Sequence, residues 1–378
     1  MSKRITQLAQ KISKIYAEGG LRGLQAVLAS ILKFSALPII YKNSLLRRIY
    51  YPKLKIAYLE LTNKCNLRCK MCIYTKLKIE TGYMSRLLFE SCVDQLSQMG
   101  VETLYLHFGG ESLVHPHFKD YLRYAISKRN NGGIANVAWI ENGMLFDKDM
   151  TDLVVDLAVD QIGFSIDGIG QVNDDIRVGA TYSVIENNIK YLLKRRGNAK
   201  KPEVYLSMCE YGKTEEQKLD VYREWVPVID SITLIPSILP DNTWENKDDL
   251  SCALKIIKPP KFCCFPLETM AISWDGKVTG CCLDYTFKMD LGDAKKQPLK
   301  QIWRGVEYQS LRKAVVTKSF PAESPCSKCE FWQINFEPRS QPILNGKGSI
   351  TYGYIYRIIK RTPESENISP QREIKTDK

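Results

Sequence analysis

The sequence predicts an α/β protein: a partial (β/α)6 TIM-like barrel followed by a small C-terminal β-hairpin domain. Three observations predict it. From Lys53 onward, short apolar runs alternate with helical patterns; a Trp-Asp-Gly-Lys turn, Trp274 to Lys277, joins two further alternating runs; and a loop rich in Pro, Asp and Asn, residues 236–250, separates the two regions. Repeated strand-then-helix order calls for parallel strands joined by right-handed crossovers, and six strands suggest an open or partial barrel.

The expected strands are Leu54 to Leu61, Thr103 to Phe108, Ala135 to Ile140, Gln161 to Ile166, Val204 to Met208 and Ser231 to Pro236. Between them, helical spacing of apolar residues predicts helices at Ser85 to Met99, Phe118 to Lys128, Lys148 to Leu157, Asn173 to Arg195 and Thr214 to Trp225. Parallel α/β architectures bind ligands at the carboxyl ends of their strands, so the loops after these runs are where chemistry is expected. In the second region, "MAISWDGKVTGCC" alternates apolar positions about Asp-Gly, a strong hairpin signal. The domains expected are a helical lead-in (1–52), the barrel (53–240), a cysteine-rich hairpin domain (255–332) and a tail (333–378). The tail carries the aromatic patch "YGYIYR" and then a polar, Pro-containing end expected to be disordered.

At 44% apolar and 25% charged residues the composition is that of a soluble globular protein, not a disordered or membrane-spanning one. The longest apolar stretch, residues 24–40, is interrupted by Gln25 and Lys33. The net charge of +12 is concentrated at the N-terminus, where residues 1–56 hold eleven cations against one anion, Glu18. Leu21, Leu24, Leu28, Ile31 and Leu32 follow helical spacing there, which predicts a basic amphipathic helix. It suits either packing against the domain, the favoured reading, or peripheral contact with an anionic membrane surface from the cytoplasm. A transit peptide fits less well, since the cations are mostly Lys and no processing signal follows. No nucleic-acid motif accompanies the charge, and no nucleic-acid partner is expected.

Twelve cysteines without a secretory signal point to metal or redox chemistry in a reducing compartment. Three of them, Cys65, Cys69 and Cys72, stand at C-x-x-x-C-x-x-C spacing just after the first strand. Three thiolates can hold three irons of a cubane cluster and leave the fourth iron open to an external ligand. Structural zinc would want a second pair or histidines nearby, and nothing within thirty residues supplies them.

With Met71 before the last thiol, this loop resembles the signature of the radical S-adenosylmethionine (SAM) enzymes. In that family the open iron chelates SAM, and reductive cleavage yields a 5′-deoxyadenosyl radical. The resemblance extends to "HFGGES", where Gly109, Gly110 and Glu111 stand at the family's GGE segment, which implies contact with the SAM amino group. It extends to "WIENG", where Asn142 and Gly143 match a usual T-N-G and Glu141 departs from it, and to "FSIDG", with Ser165 and Asp167 near the ribose and substrate. Arg177 matches a position that can supply a cation for the SAM carboxylate, and Tyr74 is expected near the adenine. Each of these residues could instead serve turn chemistry, an ion pair or the core. His107, His115 and His117 gather around the same segment, with supporting or structural roles expected.

The stretch "KFCCFPLETMAISWDGKVTGCCLDY", followed by "LGD", "IWRG" and "SPCSKCEFW", resembles the SPASM/Twitch extension of radical SAM enzymes. The resemblance implies one auxiliary 4Fe-4S cluster held by Cys263, Cys281, Cys326 and Cys329, because no cysteine follows Cys329. The doublets Cys263-Cys264 and Cys281-Cys282 leave the choice within each open, with Cys281 favoured by its distance from Gly276. A zinc ribbon is the competing reading. Cys92, Cys209 and Cys252 are expected to act as small apolar residues.

Together these resemblances imply an enzyme that uses SAM, a SAM-binding 4Fe-4S cluster and an auxiliary cluster, with a reductant such as flavodoxin or ferredoxin. The expected reaction is hydrogen abstraction from a small-molecule or lipid-linked substrate, a sugar or cyclitol included, with the auxiliary cluster accepting an electron in an alcohol dehydrogenation. Peptide maturation is the main rival, disfavoured because about fifty N-terminal residues are few for a leader-binding module. A zinc-binding adaptor or iron-sulfur scaffold is the non-enzymatic alternative.

Overall fold

The computed structural model describes residues 37–43, 50–129, 132–209, 211, 215–235 and 262–329, and the backbone of three strands within 340–361. Most of the basic lead-in, the 236–250 loop, Cys252 and the polar C-terminal end lie outside the described residues. No described helix is long and apolar enough to cross a membrane.

Six strands run parallel in sequence order: β1 (Ile56–Leu59), β2 (Thr103–Tyr105), β3 (Asn136–Glu141), β4 (Gln161–Ser165), β5 (Glu203–Cys209) and β6 (Ser231–Ile235). Their crossovers carry α1 (Arg86–Gln98), α2 (Phe118–Ser127), α3 (Lys148–Asp156), α4 (Gln171–Ile176), α5 (Tyr182–Arg196) and α6 (Glu215–Trp225). Ser85 caps α1 by accepting from Leu88 N, and Asp147 caps α3 by accepting from Met150 N, so side-chain acceptors satisfy free N–H groups at both helix starts.

The helix expected over Asn173 to Arg195 is two helices. Gly179 takes φ +95, which ends the first, and the Asp174 carboxylate accepts from Tyr182 N at 2.7 Å, starting the second. The turn between them runs along the cysteine loop, with Arg68 N donating to Val178 O at 2.8 Å and Lys70 N to Ile176 O at 2.9 Å. The break thereby delivers Arg177 to the thiols.

The expected hairpin forms from β7 (Thr269–Ile272) and β8 (Val278–Thr279), with Gly276 at φ +94 in the turn. It extends the barrel sheet, because β7 lies parallel beside β1 with Ile56 opposite Thr269. Helices α7 (Phe265–Glu268), α8 (Leu299–Arg304) and α9 (Val306–Thr317) pack around it. The buried Arg312 ties them by donating to Pro266 O at 2.9 Å and Trp303 O at 2.8 Å, its guanidinium 4.0 Å from the Trp303 ring centroid.

Three strands appear where the sequence pattern predicted no element: β9 (Ser340–Ile343), β10 (Gly348–Tyr352) and β11 (Arg357–Arg361). They are antiparallel, and β11 covers the edge of β6 that would otherwise stay unpaired. The result is one open sheet of eleven strands in the order β8-β7-β1-β2-β3-β4-β5-β6-β11-β10-β9.

Strand periodicity sorts the two faces. Ala57, Leu59, Leu104, Trp139, Phe164 and Leu206 are fully buried toward the helices, with Trp139 edge-on to Phe118 of α2 at 5.2 Å. The alternate residues, among them Tyr58, Tyr105, Ser165, Tyr205 and Ser207, face the barrel lumen in register. A lumen lined by aromatic and hydroxyl groups is built to take a ligand rather than to be packed shut.

Candidate active site

The cysteine loop leaves β1 and is closed on itself by polar ties. Thr62 Oγ1 donates to Gly82 O at 2.6 Å, and the Asn63 side chain pairs with Glu80 O at 2.8 Å and Gly82 N at 3.0 Å. Cys65 and Cys72 are half-buried, and Cys69 is 9% exposed. Burial pushes the Cys65 thiol up to about 11, with the charges of Glu111, Cys69 and Cys72 adding to it; burial also raises Cys69, where Arg177 opposes the shift and Cys72 adds to it. Thiolates in such a place need positive charge, which iron ions would supply, so the donor set fits an iron-sulfur cluster.

The segment after β2 packs directly on this loop. A Cβ on Gly110, which has φ +62, would fall 2.5 Å from Thr62 O and 2.6 Å from Lys64 O. A Cβ on Gly109 would fall 1.9 Å from the Tyr74 ring. Glu111, 4% exposed, accepts from Asn142 N at 2.9 Å and Leu113 N at 3.2 Å; burial pushes its carboxyl up to about 7. Asn142 in turn donates to Asn66 Oδ1 at 2.8 Å, tying the end of β3 to the thiol loop. Asp167, beyond β4, accepts from Cys209 N at 2.7 Å and pairs with Arg177 at 2.7 Å. The other Arg177 nitrogen stands 4.0 Å from Cys69 Sγ. Thus Cys65, Cys69, Cys72, Gly109, Gly110, Glu111, Asn142, Asp167 and Arg177 meet around one loop. Ser165 lies on the lumen face of β4 opposite Ser207, and Met71 is half-buried within the loop.

Two acidic residues there had no assigned role in the sequence reading. Glu60 accepts from the Tyr74 hydroxyl at 3.1 Å and from Trp274 N at 3.4 Å, and burial pushes its carboxyl up to about 7. Glu141, 2% exposed with Oε1 unpartnered, is held well above the usual carboxylate range by burial and then by the Glu111 charge. A signal for Glu60 was present: a charged residue closing the apolar run Leu54 to Leu61.

For Glu60 the folded value lies above the unfolded one, so the native state binds the proton more tightly. Its contribution to stability is fully present below pH about 4.5 and is lost as pH rises toward 7, a loss of about 3 kcal/mol. Glu60→Gln is expected to flatten that part of the stability profile in urea titrations between pH 4.5 and 7.5; an unchanged slope would contradict it.

The second thiol set comes from three segments. Cys263 precedes α7, Cys281 follows β8, and Cys326 lies in a 3-10 turn, Pro325–Ser327, with Cys329 N donating to Cys326 O at 3.4 Å. Burial raises Cys263 and Cys281 well above the usual thiol value; the doublet neighbours Cys264 and Cys282 add the largest charge effects, followed for Cys263 by Cys326 and Cys329 and for Cys281 by Cys263 and Cys326. Cys264 instead joins an apolar cluster with Leu37, Tyr41 and Phe262. Cys282 is pushed up to about 12 by burial and feels Cys329. Among the described residues no three Cys, His, Asp or Glu side chains converge on one ion. A cubane gives each thiolate its own iron and so asks for a wider set.

Tyr285 stands between the two thiol sets. Its ring is edge-on to Tyr74 at 5.8 Å, and Tyr74 Oη, which donates to Glu60, also lies 3.4 Å from Tyr285 O. Burial raises its hydroxyl first, and the charges of Cys282, Cys281 and Cys72 raise it further. On the lumen wall Tyr58 stacks on Tyr105 at 4.9 Å, and His107 lies edge-on to both. His107 Nδ1 accepts from Ile140 N at 3.2 Å, and burial pushes the imidazole down to about 3, so the ring is neutral with its proton on Nε2. His115 is a structural residue: its Nδ1 accepts from His117 N at 3.1 Å, and its Nε2 reaches Met84 O at 3.0 Å.

Residues 59–224 match the model of the radical SAM superfamily, and residues 263–330 match the SPASM iron-sulfur cluster-binding domain. The chain is 26% identical over 324 residues to the tungsten-containing aldehyde ferredoxin oxidoreductase cofactor-modifying protein of Pyrococcus furiosus, covering 74% of this chain and 89% of that protein. A shorter stretch, 123 residues at 32% identity, is shared with the antilisterial bacteriocin subtilosin biosynthesis protein AlbA of Bacillus subtilis; it covers 32% of this chain and only 26% of AlbA. In fold the chain is similar to Streptococcus suis SuiB bound to precursor peptide SuiA, with TM-score 0.58 and 13% identity, covering 84% of this chain and 76% of SuiB. The chain belongs to the radical SAM superfamily, as an enzyme with a SAM-binding 4Fe-4S cluster and a C-terminal SPASM domain for auxiliary iron-sulfur chemistry.

Proposed function

We propose that this enzyme dehydrogenates a hydroxyl-bearing carbon of a small polyhydroxylated substrate, a sugar, a cyclitol or a lipid-linked glycan, in the barrel lumen. The observation that supports the reading is Tyr285, which feels Cys281 and Cys282 of the second cysteine region and Cys72 of the first loop and lies edge-on to Tyr74 of that loop, so that one aromatic pair joins the two regions. When bound, the open cluster with SAM supplies a 5′-deoxyadenosyl radical that takes a hydrogen atom, and the closed cluster supplies an acceptor for one electron. The substrate therefore loses a hydrogen atom from carbon, a proton from its hydroxyl and one electron, leaving a carbonyl.

The chain's own groups suit these tasks. Tyr58 and Tyr105 offer an aromatic wall to a sugar ring, and His107 Nε2–H and Ser165 offer hydrogen bonds to hydroxyls. Glu60, titrating at about 7, is the candidate to take the hydroxyl proton. Glu111, Asn142, Asp167 and Arg177 fix the thiol loop and are the candidates to hold SAM, with Gly109 and Gly110 allowing close approach.

The test is reconstituted enzyme with SAM, reductant and C-deuterated inositols and glucosides. Deuterium should appear in 5′-deoxyadenosine, and a carbonyl product should accompany it. In Cys326→Ala, 5′-deoxyadenosine should persist while carbonyl falls by at least about tenfold; carbonyl at the wild-type yield would rule out the electron-accepting role. Deuterium drawn only from labelled peptides would favour the second reading, peptide maturation, which rests on the stretch shared with the bacteriocin biosynthesis protein.

A further inference from the structure

We infer that the outer face of the cysteine loop, residues 64–78, is a docking surface for an acidic one-electron carrier protein. The inference rests on the reading that the open thiol set holds a reducible cluster, and adds where and how the electron arrives.

Residues 61–79 contain five cations, Lys64, Arg68, Lys70, Lys76 and Lys78, and no Asp or Glu. Arg68, Lys70, Lys76 and Lys78 are exposed, and among the described residues none of the five takes part in an ion pair. At the opposite end, Lys53 pairs with Glu102, and Arg129 and Lys201 both pair with Asp160. Leaving five like charges uncompensated on one loop costs self-repulsion, which an acidic partner would relieve.

The loop is also shaped for close approach. Arg68 Nη1 donates to Cys65 O at 2.8 Å and Leu67 O at 2.7 Å, which fixes its charge against the backbone that bears the thiols. Lys64 is held over the Tyr83 ring at 4.3 Å. Val178, 44% exposed, is joined to the loop through Arg68 N and provides an apolar contact beside the cations. Two anions border the face: exposed Glu80, which directly follows the loop, and Asp175, whose carboxylate accepts from Gln171. Half-exposed Cys65 and Cys72 put two thiol positions just beneath this face. A carrier seated here passes one electron inward and is oxidised by one, while the cluster is reduced by one. Opposite charge steers such encounters and sets their rate more than their final affinity.

The test is K76E/K78E in the fully reconstituted enzyme, followed by stopped-flow bleaching of the cluster with photoreduced flavodoxin and, separately, with dithionite. Neither position is within three residues of a thiol, so the cluster is expected to load normally. The flavodoxin rate at low salt should fall by about tenfold or more and lose most of its salt dependence, with the dithionite rate unchanged. K76R/K78R should keep the wild-type rate. An unchanged flavodoxin rate in K76E/K78E overturns the inference. So does an equal loss with dithionite, which would mark a damaged cluster rather than a lost docking face. Failure of the wild type to bleach with dithionite would instead strike the underlying cluster reading.

Discussion

Replacing Cys69 with alanine is expected to lower bound iron from about eight to about four per chain and to abolish 5′-deoxyadenosine formation. Cys69 is the most buried thiol of its loop and the one nearest Arg177, at 4.0 Å. Its loss leaves two thiolates, too few to retain a cluster with one open iron. The auxiliary set draws on other segments of the chain and should remain loaded. Iron and sulfide analysis with low-temperature EPR checks both halves of the expectation. Eight irons retained, or SAM cleaved at the wild-type rate, would show that Cys69 is not a ligand.

Gly110→Ala is expected to be the most damaging substitution outside the thiols. The backbone there is left-handed at φ +62, and the new Cβ would sit 2.5 Å from Thr62 O and 2.6 Å from Lys64 O. Both obstacles are main-chain carbonyls of the loop that carries Cys65, so relief requires moving the backbone of the cysteine loop itself. The left-handed conformation alone costs about 1–2 kcal/mol. With the clash, a total of about 3–5 kcal/mol and a clear fall in Tm are expected. Gly197→Ala provides the control. It also has a positive φ, +58 with ψ −132, but nothing within 4 Å of its Cβ, so it should lose only the conformational part. Similar losses in both variants would mean that packing of the Gly109-Gly110 segment on the cysteine loop is not what Gly110 serves.

Much of the barrel was legible because its signals are local. Alternation of strand and helix patterns located β1 to β6 to within a few residues, and Ser85 and Asp147 act as helix caps by accepting from backbone N–H groups only three residues on. The break between α4 and α5 was missed by the single helix expected over Asn173 to Arg195, although Gly179 offered a stop signal; what starts the second helix, Asp174 reaching Tyr182 N, is seen only in the fold. Nor was β11 on β6, or β7 beside β1, because pairing partners more than a hundred residues apart leave no periodic trace. At the site, the three thiols of the first loop were readable from their spacing, since all three lie within one short loop. Glu60, Glu141 and Tyr285 depend on neighbours from distant strands, and only the fold brings Tyr74 of the first loop against Tyr285 of the second region.

Anaerobic reconstitution with iron and sulfide, followed by SAM and dithionite, tests the central claim most directly. The account predicts 5′-deoxyadenosine and methionine in equal amounts from the wild type and none from Cys69→Ala. A wild-type protein that binds iron yet leaves SAM intact, or a Cys69→Ala variant that cleaves it equally well, would contradict the account.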